Sequence, residues 1–122
     1  MSKLFDLEER TFQFAKDVVF FCNGLRKNIA TQEHIHQLIR SSGSVGANYI
    51  EANEALSKKD FLMRIKISRK EAKETCYWLR LIIESNSGID EKGNTLLDEA
   101  MQLKKILSSI LEKSLKSAII KV

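Results

Sequence analysis

The apolar positions of the chain fall into four periodic runs separated by short polar breaks. In the first run, Leu4, Leu7, Thr11, Phe14, Val18, Phe21 and Leu25 recur at alternating spacings of three and four, the period of a helix that buries one stripe. Phe12, Ala15, Val19 and Cys22 widen that stripe on one side. The pattern predicts a helix over about 6–26, with Gly24 and Asn28 marking its end and the following turn. The second run places Ile35, Leu38, Ile39, Ser42, Val45, Tyr49 and Ala52 at helical spacing behind Thr31, a residue type suited to an N-cap. Its middle, Ser41-Ser42-Gly43-Ser44-Val45-Gly46-Ala47, has the composition of a loop. It nevertheless lies in phase between two apolar stretches, so the sequence predicts one continuous helix over about 31–54. Its small residues let neighbouring helices approach, at a cost of about 1 kcal/mol for each interior glycine.

The third run has the sharpest start. Ser57-Lys58-Lys59-Asp60 is a capping box directly before Phe61, and Asn86-Ser87-Gly88 supplies the stop. A helix over about 58–85 is roughly 42 Å long at 1.5 Å per residue. Phe61, Ile65, Ala72, Cys76, Leu79 and Ile83 share its core-facing sector. The fourth run, Leu96, Leu97, Ala100, Leu103, Leu107, Ile110, Leu111, Leu115 and Ala118, predicts a helix over about 92–118. Four long helices joined by short connections make an all-α, antiparallel up-and-down four-helix bundle, read as a single domain over residues 1–122.

Composition agrees with this. No proline, five glycines, 43% hydrophobic and 30% charged residues are poor in turn punctuation and argue against all-β folds and disorder. At 122 residues one core suffices without disulfides. Cys22 and Cys76 lie far apart and form no CxxC pair, so both are expected as buried free thiols. Val18-Val19-Phe20-Phe21-Cys22 is too short to span a bilayer. The opening Phe5-Asp6-Leu7-Glu8-Glu9-Arg10 does not resemble a signal peptide. The expectation is a cytoplasmic protein with no membrane partner.

Chemical motifs are few. The glycines of α-helical phase around Gly43 and Gly46 are followed by no lysine and preceded by no strand, so they make no phosphate-binding loop. His34 and His36 point to different sides of a helix and cannot share a metal. Nothing places a nucleophile beside a base. No metal, cofactor or catalytic residue is therefore assigned, and the expectation is a protein without enzymatic activity.

Three residue groups on the second and third helices ask for a role. Lys59, Lys66, Lys70, Lys73 and Arg80 share one flank of the third helix. This is either a solvated face or a stripe that tracks the phosphates of RNA or DNA. Lys and Arg exceed Asp and Glu by 20 to 16, a net charge of +4; five copies in a pentamer would carry +20, enough to attract nucleic acid without reading its sequence. On the opposite flank, Ile67, Trp78 and Leu81 surround Glu74. They either widen the core face or form a contact between subunits, where tryptophan is enriched. Ser44, Asn48 and Glu51 stack along the second helix. With Glu74 they read as a buried hydrogen-bond network, the alternative being an active-site carboxylate at Glu51.

The stretch Arg40-Ser41-Ser42-Gly43-Ser44-Val45-Gly46-Ala47-Asn48-Tyr49-Ile50-Glu51-Ala52, followed by Ser57-Lys58-Lys59-Asp60-Phe61 and a helix containing Glu74, resembles the four-helix-bundle proteins encoded in 23S ribosomal RNA intervening sequences. The resemblance spans about residues 7–115. It implies an up-and-down bundle that forms a homo-oligomer, a pentamer with a central channel being favoured. It also implies likeness to the basic pentameric accessory proteins of diversity-generating retroelements, which bind nucleic acid and a reverse transcriptase. The leading expectation is thus a homo-oligomer that binds RNA or another nucleic acid, and the alternative is a scaffold for a protein partner.

Overall fold

The computed structural model describes residues 3–120, with side chains from Leu7 to Ser117. Leu4 and Ala118, placed on the core stripes by the sequence pattern, have side chains outside the described residues. Four helices follow one another: α1 (Lys3–Asn23), α2 (Ile29–Asn53), α3 (Lys58–Ser85) and α4 (Asp90–Ile120). The fold is all-α, a four-helix bundle in which each helix packs against its neighbours in sequence and α4 closes back on α1. The α2–α3 contact is the most extensive and the α1–α4 contact the least. Among the described residues, no helix is long and apolar enough to cross a membrane.

Local chemistry explains the helix ends. Ser57 accepts a hydrogen bond from the Asp60 N–H at 3.1 Å, the first half of the capping box, satisfying a donor that has no partner inside the helix. α2 corrects the expected start: its N-cap is Asn28, whose side chain accepts from the Thr31 N–H at 3.0 Å. Thr31 is buried inside the first turn. Asparagine caps as well as threonine, and here it caps α2 in addition to ending the preceding turn. Gly88 adopts φ +80°, a left-handed conformation that a Cβ would strain, and so turns the chain between α3 and α4.

α2 runs unbroken through Ser41–Ala47. Its small residues serve close approach: a Cβ on Gly46 would lie 2.8 Å from Thr11 Oγ1 and 3.1 Å from Thr11 Cβ on α1. On the side facing α3, the Ser68 hydroxyl donates to the Val45 carbonyl at 2.7 Å. Val18, Leu38, Val45, Tyr49, Ile65, Leu79, Ile82, Leu103 and Leu107 form the fully buried centre.

The core face of α3 is rotated from its expected sector. Ser68, Thr75 and Ile82 are buried, whereas Phe61 and Cys76 are half-buried. The two hydroxylated residues turn inward because they meet the small-residue face of α2, which a purely apolar count does not register. Phe12 and Val19 are likewise exposed and do not widen the core stripe of α1. Cys22 is buried as expected, and desolvation pushes its thiol up to about 11.

Candidate nucleic-acid interface

Lys59, Lys66, Lys70, Lys73 and Arg80 are all exposed on α3. At about 100° per residue they fall on one strip, and the inward rotation of Ser68, Thr75 and Ile82 turns that strip more squarely toward solvent. The strip spans about 31 Å from Lys59 to Arg80 at 1.5 Å per residue. Arg80 shares it with an acid: its Nη2 lies 3.4 Å from Glu84 Oε2, with both side chains 69% exposed. An ion pair this open is worth little and yields easily to a competing anion.

Two exposed side chains interleave with the cations and were not singled out from the sequence. Tyr77 is 60% exposed, one turn after Lys73 and one turn before Arg80, and Met63 is exposed one turn before Lys66. The signal was available in the spacing, because Tyr77 sits on the same helical count as the five cations.

On the opposite flank, Trp78 meets α2 of the same chain. Trp78 is half-buried, stacked on His34 of α2 with ring centroids 6.0 Å apart and planes at 30°. It also meets Tyr77 edge to face at 5.0 Å and 85°. Among the described residues, Trp78 Nε1 and His34 Nδ1 are buried without a hydrogen-bond partner. Ile67 and Leu81 are half-buried. The chain therefore covers part of the indole by itself, through α2.

The expected buried network is corrected. Glu51 and Glu74 are exposed, while Ser44 and Asn48 are half-buried. Asn48 Nδ2 donates to the Ser44 carbonyl at 2.9 Å, and its Oδ1 accepts from Arg64 Nη1 of α3 at 3.1 Å. The line thus lies at the rim of the α2–α3 seam, where carboxylates reach water at no desolvation cost. The buried polar groups lie one helical face further in: Thr75 Oγ1 donates to Ser41 Oγ at 2.9 Å, beside the Ser68 bond to Val45.

Glu74 instead neighbours Glu71 at a cavity of about 220 Å³ lined by Gln37, Arg40, Ser41, Lys70, Glu71 and Glu74. Burial, and then the Glu74 charge, raise the Glu71 carboxyl above its ordinary range, against the opposing pull of Arg40 and Lys70. Lys70 therefore faces carboxylates on one side as well as solvent on the other. Arg40, exposed on α2, adds a cation that the sequence reading did not assign.

Known proteins share the sequence pattern and the fold. The family model for the 23S rRNA-intervening sequence protein matches residues 5–109. A crystal structure from Bacteroides thetaiotaomicron VPI-5482, described as a protein of unknown function from the S23 ribosomal protein family, is 31% identical to the chain. It superimposes with a TM-score of 0.75 over 85% of this chain and 96% of that one. No curated protein matches the chain.

Proposed function

The chain belongs to the 23S rRNA-intervening sequence protein family, and with that as premise we propose that it is a non-catalytic, homo-oligomeric bundle that holds RNA or another nucleic acid by its phosphates. The observation that carries this reading is the strip of five exposed cations on one face of a single long helix. Each can displace a counterion from a phosphate backbone, so affinity accumulates without any base being read. Assembly would repeat the strip by symmetry and multiply a modest charge. A pentamer is the favoured arrangement.

The test is binding of labelled RNA by the purified chain across a salt series. The wild type should lose affinity steeply with salt, and Lys66→Glu combined with Lys70→Glu should abolish most of the binding. Binding that survives both the double variant and moderate salt overturns the assignment. Light scattering checks the assembly, since a mass of 14.0 kDa would mean a monomer and remove the multiplied charge.

A second reading has its own observation. Phe12 and Phe20 are 61% and 62% exposed on α1, with Lys16 between them and its Nζ 6.0 Å from the Phe20 ring centroid, and exposed aromatic side chains of this kind can receive a protein partner. Partners captured with the chain that persist after nuclease treatment would favour this scaffold role.

A further inference from the structure

We infer that Tyr77 is a stacking platform for an unpaired base, so that the nucleic acid held by the α3 strip is single-stranded. The inference rests on the phosphate-binding reading above and narrows it to one class of ligand. Tyr77 is 60% exposed, so its ring is open to a ligand. Its ring is braced from behind, with Trp78 meeting it at 5.0 Å and 85° and Trp78 itself stacked on His34 at 6.0 Å. A chain of three rings reaching from α2 to solvent limits how far the outermost one can swing, so little freedom is lost when a base settles on it.

The surrounding charges fit the same ligand. Lys73 precedes Tyr77 by one turn, Lys70 precedes it by two, and Arg80 follows by one, about 6, 10 and 5 Å along the helix axis. Phosphates on either side of a nucleotide can therefore be held while its base lies over the phenol ring. Aromatic platforms set among cations are how proteins bind single strands without sequence preference, because every base offers a π face. In a duplex those faces are stacked on one another and closed to the protein. The α1–α4 groove is lined by Glu9, Asp17, Asp98 and the Arg10–Glu99 ion pair, a net negative lining that disfavours a polyanion there.

The experiment compares three probes of equal length on the full chain: a labelled single strand of about 12 adenylates, the same strand with abasic sites, and a duplex. The length lies within known single-strand site sizes. Tyr77→Ala should weaken the adenylate strand about tenfold while leaving the abasic strand within about twofold, and Tyr77→Phe should restore binding because stacking needs the ring and not the hydroxyl. Trp78 is the single tryptophan of the chain and touches Tyr77, so its fluorescence should change with the adenylate strand and not with the abasic one. Equal affinity of the wild type for duplex and single strand, or a Tyr77→Ala variant that binds adenylates normally, overturns the inference while Lys66→Glu with Lys70→Glu still abolishes binding. Failure of the wild type to bind any of the three probes overturns the phosphate-binding reading along with it.

Discussion

The two seams α2–α3 and α1–α4 are built on opposite principles. Across α2–α3, small and β-branched residues face one another: Ser41 and Val45 on one helix, Ser68, Ala72 and Thr75 on the other, all buried. Hydrogen bonds of 2.7 Å from Ser68 to the Val45 carbonyl and 2.9 Å from Thr75 to Ser41 cross between the helices. Across α1–α4, aromatic and charged side chains hold the helices apart, leaving grooves of about 580 and 470 Å³ lined by Phe14, Phe20, Phe21 and Leu96 with several carboxylates. A clasp spans this opening: Arg10 donates to both oxygens of Glu99 at 2.7 and 2.8 Å and to Gln102 at 2.9 Å. The distance between helix axes follows the size of the side chains at the contact. The tight seam fixes the placement of α3, and with it the cation strip, while the open seam is free to accept changes.

Overfilling each seam tests this difference most severely. Ser68→Leu forces two extra heavy atoms between α2 and α3 and removes the hydroxyl bond to Val45, so it should cost about 3 kcal/mol in urea unfolding. Thr95→Leu, at an exposed position lining the α1–α4 groove, should stay within about 0.5 kcal/mol of the wild type. Similar losses at both sites would mean that the seams are packed alike. The next effect is smaller. Arg10→Ala removes the clasp, whose side chains are 38% and 28% exposed, and should cost less than about 1 kcal/mol, shrinking further in high salt. A loss that is larger and independent of salt would show the α1–α4 seam to be held by desolvated charge.

The bundle was legible in the sequence because its signals are local. Apolar spacing marks four helices, and the Ser57 box marks the start of α3 to the residue. The interior of the tight seam was harder to read, since Ser68 and Thr75 look solvent-facing to any count of apolar residues and are buried only because α2 offers small residues opposite them. Glu51 and Glu74 are both exposed, Glu74 lining the polar cavity at the α2–α3 seam. Among the candidate site residues, the five cations follow directly from helical spacing. Tyr77 sits on the same helical count as those cations, and what spacing does not show is that Trp78 and His34 stand beside its ring.

The smallest expected effect sharpens the account of the tight seam by probing the point at which it becomes wet. Glu71 lies at the polar cavity between α2 and α3, and burial, then the neighbouring Glu74, raise its carboxyl above the ordinary range. A carboxyl whose value is higher in the folded chain than in the unfolded one favours folding while protonated. Its contribution is present below the unfolded value and is lost as pH rises through the raised folded value. At neutral pH the ionised Glu71 is therefore a small burden on the fold. Glu71→Gln should raise the urea midpoint slightly at pH 7, and the advantage should disappear on acidification below the ordinary carboxylate value of 4.5. A lower midpoint for Glu71→Gln at pH 7 would mean that Arg40 and Lys70 hold the ionised form more strongly than burial and Glu74 oppose it. Lys70 would then be committed to closing the seam, and the phosphate strip would depend on its other four cations.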